Sequence, residues 1–499
     1  MAKTLTRRDL GKLAGASALA TAPLAPSLAD QKRTTADELP APQFPRGFHW
    51  GVATSAYQIE GAHDADGKGK SIWDTYVHIP GKIRNGDTGD RATDHYHRYK
   101  QDVALMKSIG VTAYRFSIAW PRIFPDGTGQ PNPKGVDFYS RLLDELRAAD
   151  IEPFATLYHW DLPQALQDKH GGWQSREISK AFAEYSGYVA RRLGDRIRYF
   201  ITINEFSSFV DLGHRGVDRA LPGNPARIEL APGLRLDAAA LNQVRHHSVL
   251  AHGMAVQAIR AMGRPGTRIG PAEALQAAVP AIGSPEHVRA AETATRELNA
   301  AYLAVMLEGR YPDAYLRAEG RAAPRYTDDD LRVIASPVDF VGINVYVPRM
   351  YVLTSDRPPG YREVRKSASH PKMLSPWHTF GPEVMYWAPK QLHSIWKPKE
   401  IYITENGCAA SDEIDADGQV LDSDRVMYFR NGMAQLQRAC AEGVPVKGNF
   451  VWSAMDNFEW TDGYGARFGI VYVDFATQRR TPKLSARWYR EAARRNAVV

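Results

Sequence analysis

The sequence predicts an α/β protein, a single (β/α)8 TIM barrel with long loops after the strands. Short runs of apolar, β-branched and aromatic residues alternate along its 499 residues with amphipathic helical stretches. This alternation is typical of a parallel sheet covered by helices. Eight such runs occur, and eight strands close this barrel. The predicted strands are 48–54, 113–118, 152–159, 198–204, 268–272, 339–344, 400–404 and 447–452.

Helical patterns fill the intervals between these strands, and glycine follows several of them. The predicted helices are 138–149, 177–193, 239–262, 286–308 and 426–442. The fifth strand is the least regular, because Gly270 and Pro271 interrupt it. Three connections, 121–136, 206–237 and 348–384, are too long for simple turns. They leave the carboxyl ends of strands, where barrels of this type build their sites.

The first residues of the chain have the pattern of an export signal. Arg7 and Arg8 precede a weakly apolar stretch, and Ser27-Leu28-Ala29 offers a small-residue cleavage site. We interpret 1–29 as a twin-arginine-type signal peptide, 30–43 as a disordered linker and 44–499 as the barrel domain. The expected location is then the bacterial periplasm or the exterior. A basic, disordered N-terminus is the alternative.

Charge and composition exclude several classes of partner. The net charge is +7, from 63 basic and 56 acidic residues that are interspersed, so we expect no nucleic-acid surface. No run of about 18 apolar residues predicts a membrane span. Cys408 and Cys440 are expected to be unpaired, because a helix of about 16 residues, about 24 Å long, separates them. The sequence does not indicate an oligomeric state.

Polar and aromatic residues cluster where the predicted strands end. Carboxylates, amides and an imidazole can bond sugar hydroxyls, and indole rings can pack on the apolar face of a pyranose. Two carboxylates are the minimum for glycosidic hydrolysis. The barrel brings these strand ends together, so we expect one sugar pocket from Gln58, Arg115, His159, Asn204, Glu205, Asn344, Tyr346, Glu405, Trp452, Glu459 and Trp460.

Seven sequence segments lie at these strand ends. They are FHWGVATSAYQIEG at 48–61, YRFS at 114–117, HWDLP at 159–163, TINE at 202–205, GIN at 342–344, ITENG at 403–407 and WSAMDNFEW at 452–460. In sequence and in order they closely resemble glycoside hydrolase family 1, the β-glucosidase family. The resemblance extends from about Phe44 to Tyr489.

The resemblance implies a role for each candidate residue. Glu205 matches the general acid/base and Glu405 the nucleophile. The family's nucleophile is held ionised and oriented by the residues that match Arg115, Asn344 and Tyr346. Its glycone subsite corresponds to Gln58, His159, Asn204, Glu459 and Trp460, with Trp452 as the aromatic floor.

The implied activity is that of a retaining β-glycosidase, and a β-glucosidase in particular. The expected partner is a small glycoside or oligosaccharide, with no metal and no organic cofactor. A nucleophile must be charged near neutral pH, so we expect Arg115 to lower the pKa of Glu405. We also expect the two carboxyl groups to lie about 5–5.5 Å apart, the spacing of retaining enzymes.

Three positions depart from the family pattern and leave the aglycone open. Phe206 replaces the proline that usually follows the acid/base, Ser207 to Val210 replace aromatic and small residues, and Val345 replaces an aromatic residue. A β-galactosidase or β-fucosidase, a transglycosylase and a non-catalytic sugar-binding protein are the alternatives. Glu459 speaks against a 6-phospho-β-glycosidase, because its carboxylate would repel the phosphate.

Other polar groups are interpreted as structural. Glu60 is expected to support the fold. His95 and His97 are not expected to bind a metal, because residues two apart on a helix do not face each other. His246, His247 and the acidic run 328–330 are expected on solvent-exposed faces.

Overall fold

The computed structural model describes residues 43–221 and 224–499. Eight parallel strands form a closed barrel, which confirms the predicted fold class. Counting all strands in chain order, the barrel consists of β1 (His49–Ala53), β2 (Ala113–Ser117), β3 (Glu152–Tyr158), β4 (Tyr199–Asn204), β7 (Arg268–Ala274), β9 (Val341–Asn344), β12 (Ile401–Asn406) and β13 (Val446–Trp452). The predicted signal peptide 1–29 and nearly all of the predicted linker 30–43 lie outside the described residues.

Helices connect the barrel strands and surround them. They are α1 (Ala56–Ile59), α2 (Ile72–Tyr76), α3 (His95–Ser108), α4 (Trp120–Ile123), α5 (Pro133–Ala148), α6 (Gln164–His170), α7 (Glu177–Leu193), α8 (Ala238–Met262), α9 (Pro285–Leu298), α10 (Val305–Glu308), α11 (Asp313–Glu319), α12 (Asp328–Ile334), α13 (Val384–Trp396), α14 (Ser423–Ala441) and α15 (Leu484–Arg495). None of the helices in the described ranges is long and apolar enough to cross a bilayer.

The three long connections carry structure of their own. The last four residues of 121–136 already belong to α5, which begins at Pro133. A π-helical turn, Ser208–Leu212, opens the connection after β4, and a hairpin of β5 (Val217–Leu221) and β6 (Asn224–Ile228) follows. Strands β10 (Met350–Thr354) and β11 (Tyr361–Val364), from the connection after β9, form a sheet with β8 (Ala278–Pro280), while β14 (Val471–Val473) pairs with β15 (Arg480–Pro482).

Aromatic rings fill the barrel interior near the amino ends of the strands. Phe154 and Tyr199 stack with ring centroids 4.1 Å apart, and Tyr402 and Phe450 pack edge-on against Phe154. All four side chains are buried. Because this layer closes the barrel from below, a cavity inside the sheet can open only at the carboxyl ends of the strands.

The fifth barrel strand is longer than its sequence suggests. The predicted strand 268–272 is in fact Arg268–Ala274, despite Gly270 and Pro271. A Cβ at Gly270 would come within 2.3 Å of the carbonyl oxygen of Phe340, so glycine is required by close contact between β7 and the segment before β9. Asn204 on β4 pairs with Ala272 on β7, so Glu273 lies beside Glu205, the residue that follows Asn204.

The predicted helix 286–308 is interrupted. It divides into α9, the π-helical turn Ala300–Ala304 and α10, because Asn299 leaves helical geometry. The Asn299 side chain donates to the carbonyl of Gln276 at 3.1 Å and accepts from its N–H at 3.2 Å. At Asn299, hydrogen bonds to Gln276 in the loop after β7 thus accompany the break in the regular helical hydrogen-bond pattern.

The prediction that His246, His247 and 328–330 face solvent is wrong for three of the five residues. His246, His247 and Asp330 are buried where α8 meets α12. His246 Nδ1 lies 3.0 Å from the Tyr311 hydroxyl and its Nε2 lies 3.4 Å from Asp330. Arg176 pairs with Asp330 from the other side. A polar network therefore stabilises these groups in the interior.

The other groups that were interpreted as structural have identifiable partners. Glu60 accepts from Arg122 at 3.0 Å and from Tyr139 at 2.6 Å. His95 is buried against Asp102, whereas the exposed His97 contacts Asp94, so the two imidazoles bind different acids. Cys408 and Cys440 are both free thiols.

A fully buried network of charges joins the elements that follow the last two barrel strands. Arg425 on α14 donates to Asp412 at 2.8 and 2.9 Å and also pairs with Asp422. Lys483, which precedes α15, donates to Asp412 at 2.6 Å and to Asp456 at 2.7 Å. Buried charges of this kind are tolerated only when they are paired.

Phe44 and Asn496 fasten the two ends of the described chain to each other. Their backbones bond at 2.8 Å, the Asn496 amide donates to the Phe44 carbonyl at 2.7 Å, and Trp50 Nε1 donates to the Asn496 side chain at 3.0 Å. Phe44 precedes β1, so this contact lies at the amino ends of the strands.

Candidate active site

A cavity of about 380 Å³, open to solvent, occupies the carboxyl end of the barrel. Nine of the eleven sequence-predicted site residues line it: His159, Asn204, Glu205, Asn344, Tyr346, Glu405, Trp452, Glu459 and Trp460. Arg115 and Gln58 lie behind the lining, where they bond residues that face the cavity. The barrel therefore brings together residues that are separated by up to 402 positions in the sequence, from Gln58 to Trp460.

Glu405, on β12, is held by two donors. Arg115 Nη1, from β2, donates to Glu405 Oε1 at 2.6 Å, and the Tyr346 hydroxyl donates to Oε2 at 2.8 Å. Arg115 is also fixed by the carbonyl of Thr404 and the hydroxyl of Thr156. Each carboxyl oxygen of Glu405 thus has one donor from the protein.

Asn204 and Asn344 connect the second carboxyl group to the first. Asn204 Oδ1 accepts from Arg115 at 2.6 Å and from Asn344 Nδ2 at 3.0 Å. Asn344 Nδ2 also donates to Glu205 Oε1 at 2.7 Å. Glu205 and Glu405 are therefore anchored in one continuous polar network, and both face the same cavity.

The hydrogen bonds of Asn204 define the protonation state and tautomer of His159. Because Asn204 Oδ1 is already an acceptor, its Nδ2 must donate to His159 Nε2, which lies 3.2 Å away. Burial holds the pKa of His159 well below its ordinary value, and the charge of Arg115 lowers it further. His159 is thus neutral, with its proton on Nδ1.

Indole rings form one wall of the cavity. Trp160 and Trp460 have centroids 4.6 Å apart, and Trp452 stacks on His159 at 5.6 Å. Gln58 donates to the carbonyl of Phe458 at 2.9 Å and to Glu459 at 3.3 Å, which positions the Glu459 carboxyl group at the edge of this wall.

Comparison with known proteins identifies the family to which this barrel belongs. The profile of glycosyl hydrolase family 1 matches residues 41–498. The chain belongs to this family. The 1,4-β-D-glucan glucohydrolase of Thermotoga neapolitana is 43% identical over 459 residues, which cover 92% of this chain and 99% of that protein. β-Glucosidase A of Thermotoga maritima is 43% identical over 458 residues, covering 91% and 99%.

Solved structures that superpose on this chain belong to the same family as the relatives found by sequence. The family 1 β-glucosidase from Thermotoga maritima superposes with a TM-score of 0.81 at 42% identity, covering 92% of this chain and all of that one. The same enzyme in complex with deoxynojirimycin superposes equally well. As a member of glycosyl hydrolase family 1, the chain is an enzyme that hydrolyses O-glycosyl bonds.

The electrostatics of Glu405 differ from the expectation. Burial raises the pKa of Glu405 to about 7, and the charge of Arg115 lowers it, as expected. The prediction that Arg115 depresses this pKa below the ordinary value is nevertheless wrong in its net result. Full desolvation, together with the neighbouring Glu205 carboxylate, outweighs the guanidinium and the Tyr346 hydroxyl. Burial likewise raises the pKa of Glu459 to about 8.

Three non-glycine residues at the cavity have left-handed backbone conformations. Their φ angles are 78° for Trp160, 49° for Glu205 and 49° for Trp460. Such conformations cost of order 1–3 kcal/mol each and persist only where surrounding contacts enforce them. Their concentration at the cavity indicates that these side chains are directed by the fold.

Sequence reasoning missed several residues of the lining. They come from the last residue of β7 and from the connections after β4, β7, β9 and β13: Ser208, Leu212, Ile228, Ala274, Leu275, Gln276, Val347, Arg349, Trp377 and Phe468. Trp377 could have been suspected, because the long connection after β9 is rich in aromatic residues. The others carry no local signal, since loop residues reach the cavity only through tertiary structure.

Proposed function

We propose that this protein is a retaining β-glucosidase, which hydrolyses terminal non-reducing β-D-glucosyl residues through a covalent glycosyl-enzyme. The observation that carries this proposal is the single network through Asn204, which ties Arg115 and Glu405 to Asn344 and Glu205 at the mouth of the barrel. Two carboxyl groups facing one cavity are the catalytic pair of such enzymes.

In the first step, Glu405 attacks the anomeric carbon of the bound sugar. Arg115 and Tyr346 each bond one of its oxygens and so orient the attack. The bond between the anomeric carbon and the glycosidic oxygen breaks, and Glu205 donates its proton to that oxygen. The aglycone leaves as an alcohol, and the sugar remains as an ester of Glu405.

In the second step, Glu205 is ionised and acts as a base. It takes a proton from water while the water oxygen attacks the anomeric carbon, and the ester bond to Glu405 breaks. Each step inverts the anomeric configuration, so the overall reaction retains it. Both residues return to their starting state.

The residues expected to face the sugar are suited to binding an uncharged glycone. His159, Asn204 and Glu459 offer donors and acceptors to hydroxyl groups, and Trp452 and Trp460 offer apolar faces. The relatives named as β-glucosidases support glucose as the preferred glycone. One relative, 39% identical, is a bifunctional β-D-glucosidase/β-D-fucosidase from Bifidobacterium breve, so the β-fucoside belongs in any substrate panel.

The remaining lining is more apolar. Leu212, Ile228, Leu275, Val347 and Trp377 line the cavity together with the polar Ser208, Gln276 and Arg349. We assign this part of the lining to the aglycone. This surface supports aryl or alkyl aglycones over strongly polar ones, because apolar contact contributes roughly 25 cal/mol per Å² buried.

We also propose that residues 1–29 direct export by the twin-arginine route. The paired Arg7 and Arg8, the weakly apolar stretch and Ser27-Leu28-Ala29 support this. Fractionation of cells expressing the wild type and Arg7→Lys/Arg8→Lys tests it. We expect periplasmic or secreted activity from the wild type alone, and equal export of both would contradict the proposal.

The activity is tested with 4-nitrophenyl β-D-glucoside, alongside the β-galactoside and β-fucoside. We expect the glucoside to be a good substrate and NMR of the first turnovers to show β-glucose. Appearance of α-glucose first would overturn the double displacement. Absence of turnover on all three substrates between pH 5 and 8 would overturn the assignment as a β-glucosidase.

A further inference from the structure

Glu273 is a buried carboxyl group that the mechanism above does not use. It lies on β7, beside β4, and its side chain is almost inaccessible to solvent. Phe206 N–H donates to its Oε2 at 2.7 Å, and Ser207 N–H donates to its Oε1 at 3.2 Å. The Ser207 hydroxyl bonds the same Oε1. Glu273 therefore holds the two residues that directly follow Glu205.

The donor from Phe206 depends on a departure from the family pattern. Family members usually have proline at this position, and proline has no backbone N–H to donate. In this chain Phe206 restores that donor, and Glu273 provides the acceptor across the strand pair. Burying the Glu273 carboxyl group without hydrogen-bond donors would be unfavourable. The Phe206 N–H supplies such a donor, so each of the two residues provides the partner that the other needs.

The bonded segment is the one that directs Glu205. Glu205 adopts φ of 49°, and its own N–H donates to the carbonyl of Ala272, the residue before Glu273, at 2.7 Å. Three consecutive residues, Glu205 to Ser207, are thus fastened to Ala272 and Glu273. This fastening holds a backbone conformation that L-residues rarely adopt.

The groups that face Glu273 are few. They are the Glu205 carboxyl group, the Ser207 hydroxyl and the Tyr302 hydroxyl, with Arg245 and Asp211 beyond Tyr302. Burial raises the pKa of Glu273 to about 8; its bonds to Ser207 and Phe206 lower it, and the charge of Glu205 raises it.

We propose that Glu273 is a positioning residue for the proton donor: by bonding Phe206 and Ser207 it holds the turn that aims Glu205 at the glycosidic oxygen. This inference rests on the proposed β-glucosidase activity. Glu273 itself does not touch the substrate, because it lies behind the residues that line the cavity. Its effect is therefore confined to the steps that need Glu205.

The test exploits the leaving group. Hydrolysis of 2,4-dinitrophenyl β-glucoside needs no proton for the departing phenolate, whereas methyl β-glucoside needs one. General acid catalysis contributes about 10²–10⁴-fold, so Glu273→Leu is expected to lower kcat/KM at least about tenfold for the methyl glucoside. We expect less than about a threefold loss for the dinitrophenyl glucoside.

A matched pair at Phe206 separates the hydrogen bond from packing. Phe206→Ala and Phe206→Pro both remove the buried ring, but only the proline variant removes the N–H. Phe206 stands in the first helical turn after β4, where proline is tolerated. We expect only Phe206→Pro to show the leaving-group-dependent loss. This pair remains informative if Glu273→Leu does not fold.

The possible outcomes are distinct. Equal losses on both substrates, or no loss on either, would overturn the positioning role, as would identical behaviour of the two Phe206 variants. Wild-type turnover of the dinitrophenyl glucoside tests the proposed function independently. If the wild type is inactive on it, the β-glucosidase assignment fails, whereas an active wild type with indifferent variants refutes Glu273 alone.

Discussion

Arg115 donates a 2.6 Å hydrogen bond to Glu405, and both side chains are almost completely enclosed by protein. In spite of this contact, burial keeps the pKa of Glu405 near 7. The ionised fraction of Glu405 in the free enzyme consequently changes across the neutral range, so small changes in its donors have measurable effects on activity.

Tyr346→Phe is expected to move the acidic limb of the kcat/KM profile to higher pH. The tyrosine hydroxyl donates to Glu405 and stabilises its anion, so removing the bond raises the pKa of Glu405. At a given pH less Glu405 is then ionised, and the active fraction falls. Because hydrogen bonds to charged groups contribute about 1.5–3 kcal/mol, the shift is expected to be about one pH unit or more.

Initial rates with 4-nitrophenyl β-glucoside between pH 4 and 9 measure this shift. Tyr472→Phe, at a tyrosine on β14 outside the cavity lining, is the matched control. An acidic limb that stays in place, or moves to lower pH, would contradict the assigned role of the hydroxyl.

Glu405→Gly is expected to abolish hydrolysis, with activity restored by azide. The deleted side chain leaves room on the face opposite the leaving group, so azide attacks there and gives the α-glucosyl azide. An activated aryl glucoside supplies the leaving group, and NMR identifies the product.

Glu205→Ala is expected to give the opposite product. Glu405 still forms the ester with an activated substrate, and azide then replaces water as the second nucleophile. The β-glucosyl azide results, with the largest loss of rate on poor leaving groups. If the two variants gave the opposite anomers, the roles of Glu205 and Glu405 would have to be exchanged.

Glu459→Gln is expected to weaken binding of the glycone. The Glu459 carboxyl group is positioned by Gln58 at the cavity wall, and in its ionised form it accepts sugar hydroxyls more strongly than an amide oxygen does. Because burial raises the pKa of Glu459 to about 8, the loss is expected to be largest at the alkaline end of the pH range. Loss of one charged hydrogen bond corresponds to roughly 10–100-fold in kcat/KM. The exposed Glu413→Gln is the control, and a change below about threefold would remove Glu459 from the glycone site.

Arg425→Met is expected to destabilise the fold without touching the cavity. It leaves Asp412 and Asp422 buried with one cation fewer, which costs about 3–5 kcal/mol of unfolding free energy. Urea unfolding followed by circular dichroism measures this loss. Arg141→Met, which removes an exposed ion pair with Asp137, is expected to change the same quantity by less than about 1 kcal/mol. Equal stability of the two variants would refute the contribution of the buried network.

The sequence was most informative where the chain repeats a simple pattern. The run 177–193 was predicted with the bounds of α7, because its amphipathic spacing is regular and glycine follows it. The residues at strand ends, such as Asn204 and Asn344, could be placed in one pocket because barrel closure leaves their relative positions little freedom.

The remaining features depend on partners distant in the sequence. Asn299 interrupts a helix only because Gln276 lies beside it, and His246 is buried only because Asp330 and Tyr311 accompany it. The sequence assigns no role to Glu273, because the predicted fifth strand ends at Ala272, whereas β7 extends to Ala274. The net pKa of Glu405 likewise required the depth of burial, which residue spacing does not give.

The bonds between Phe44 and Asn496 have a practical consequence for attaching the enzyme to a surface. They fasten the described ends of the chain at the side of the barrel opposite the cavity mouth. A flexible tether joined to the backbone just upstream of Phe44 therefore departs on that far side. Immobilised in this way, the enzyme is oriented with its entrance toward the liquid, so substrate can diffuse in without crossing the support.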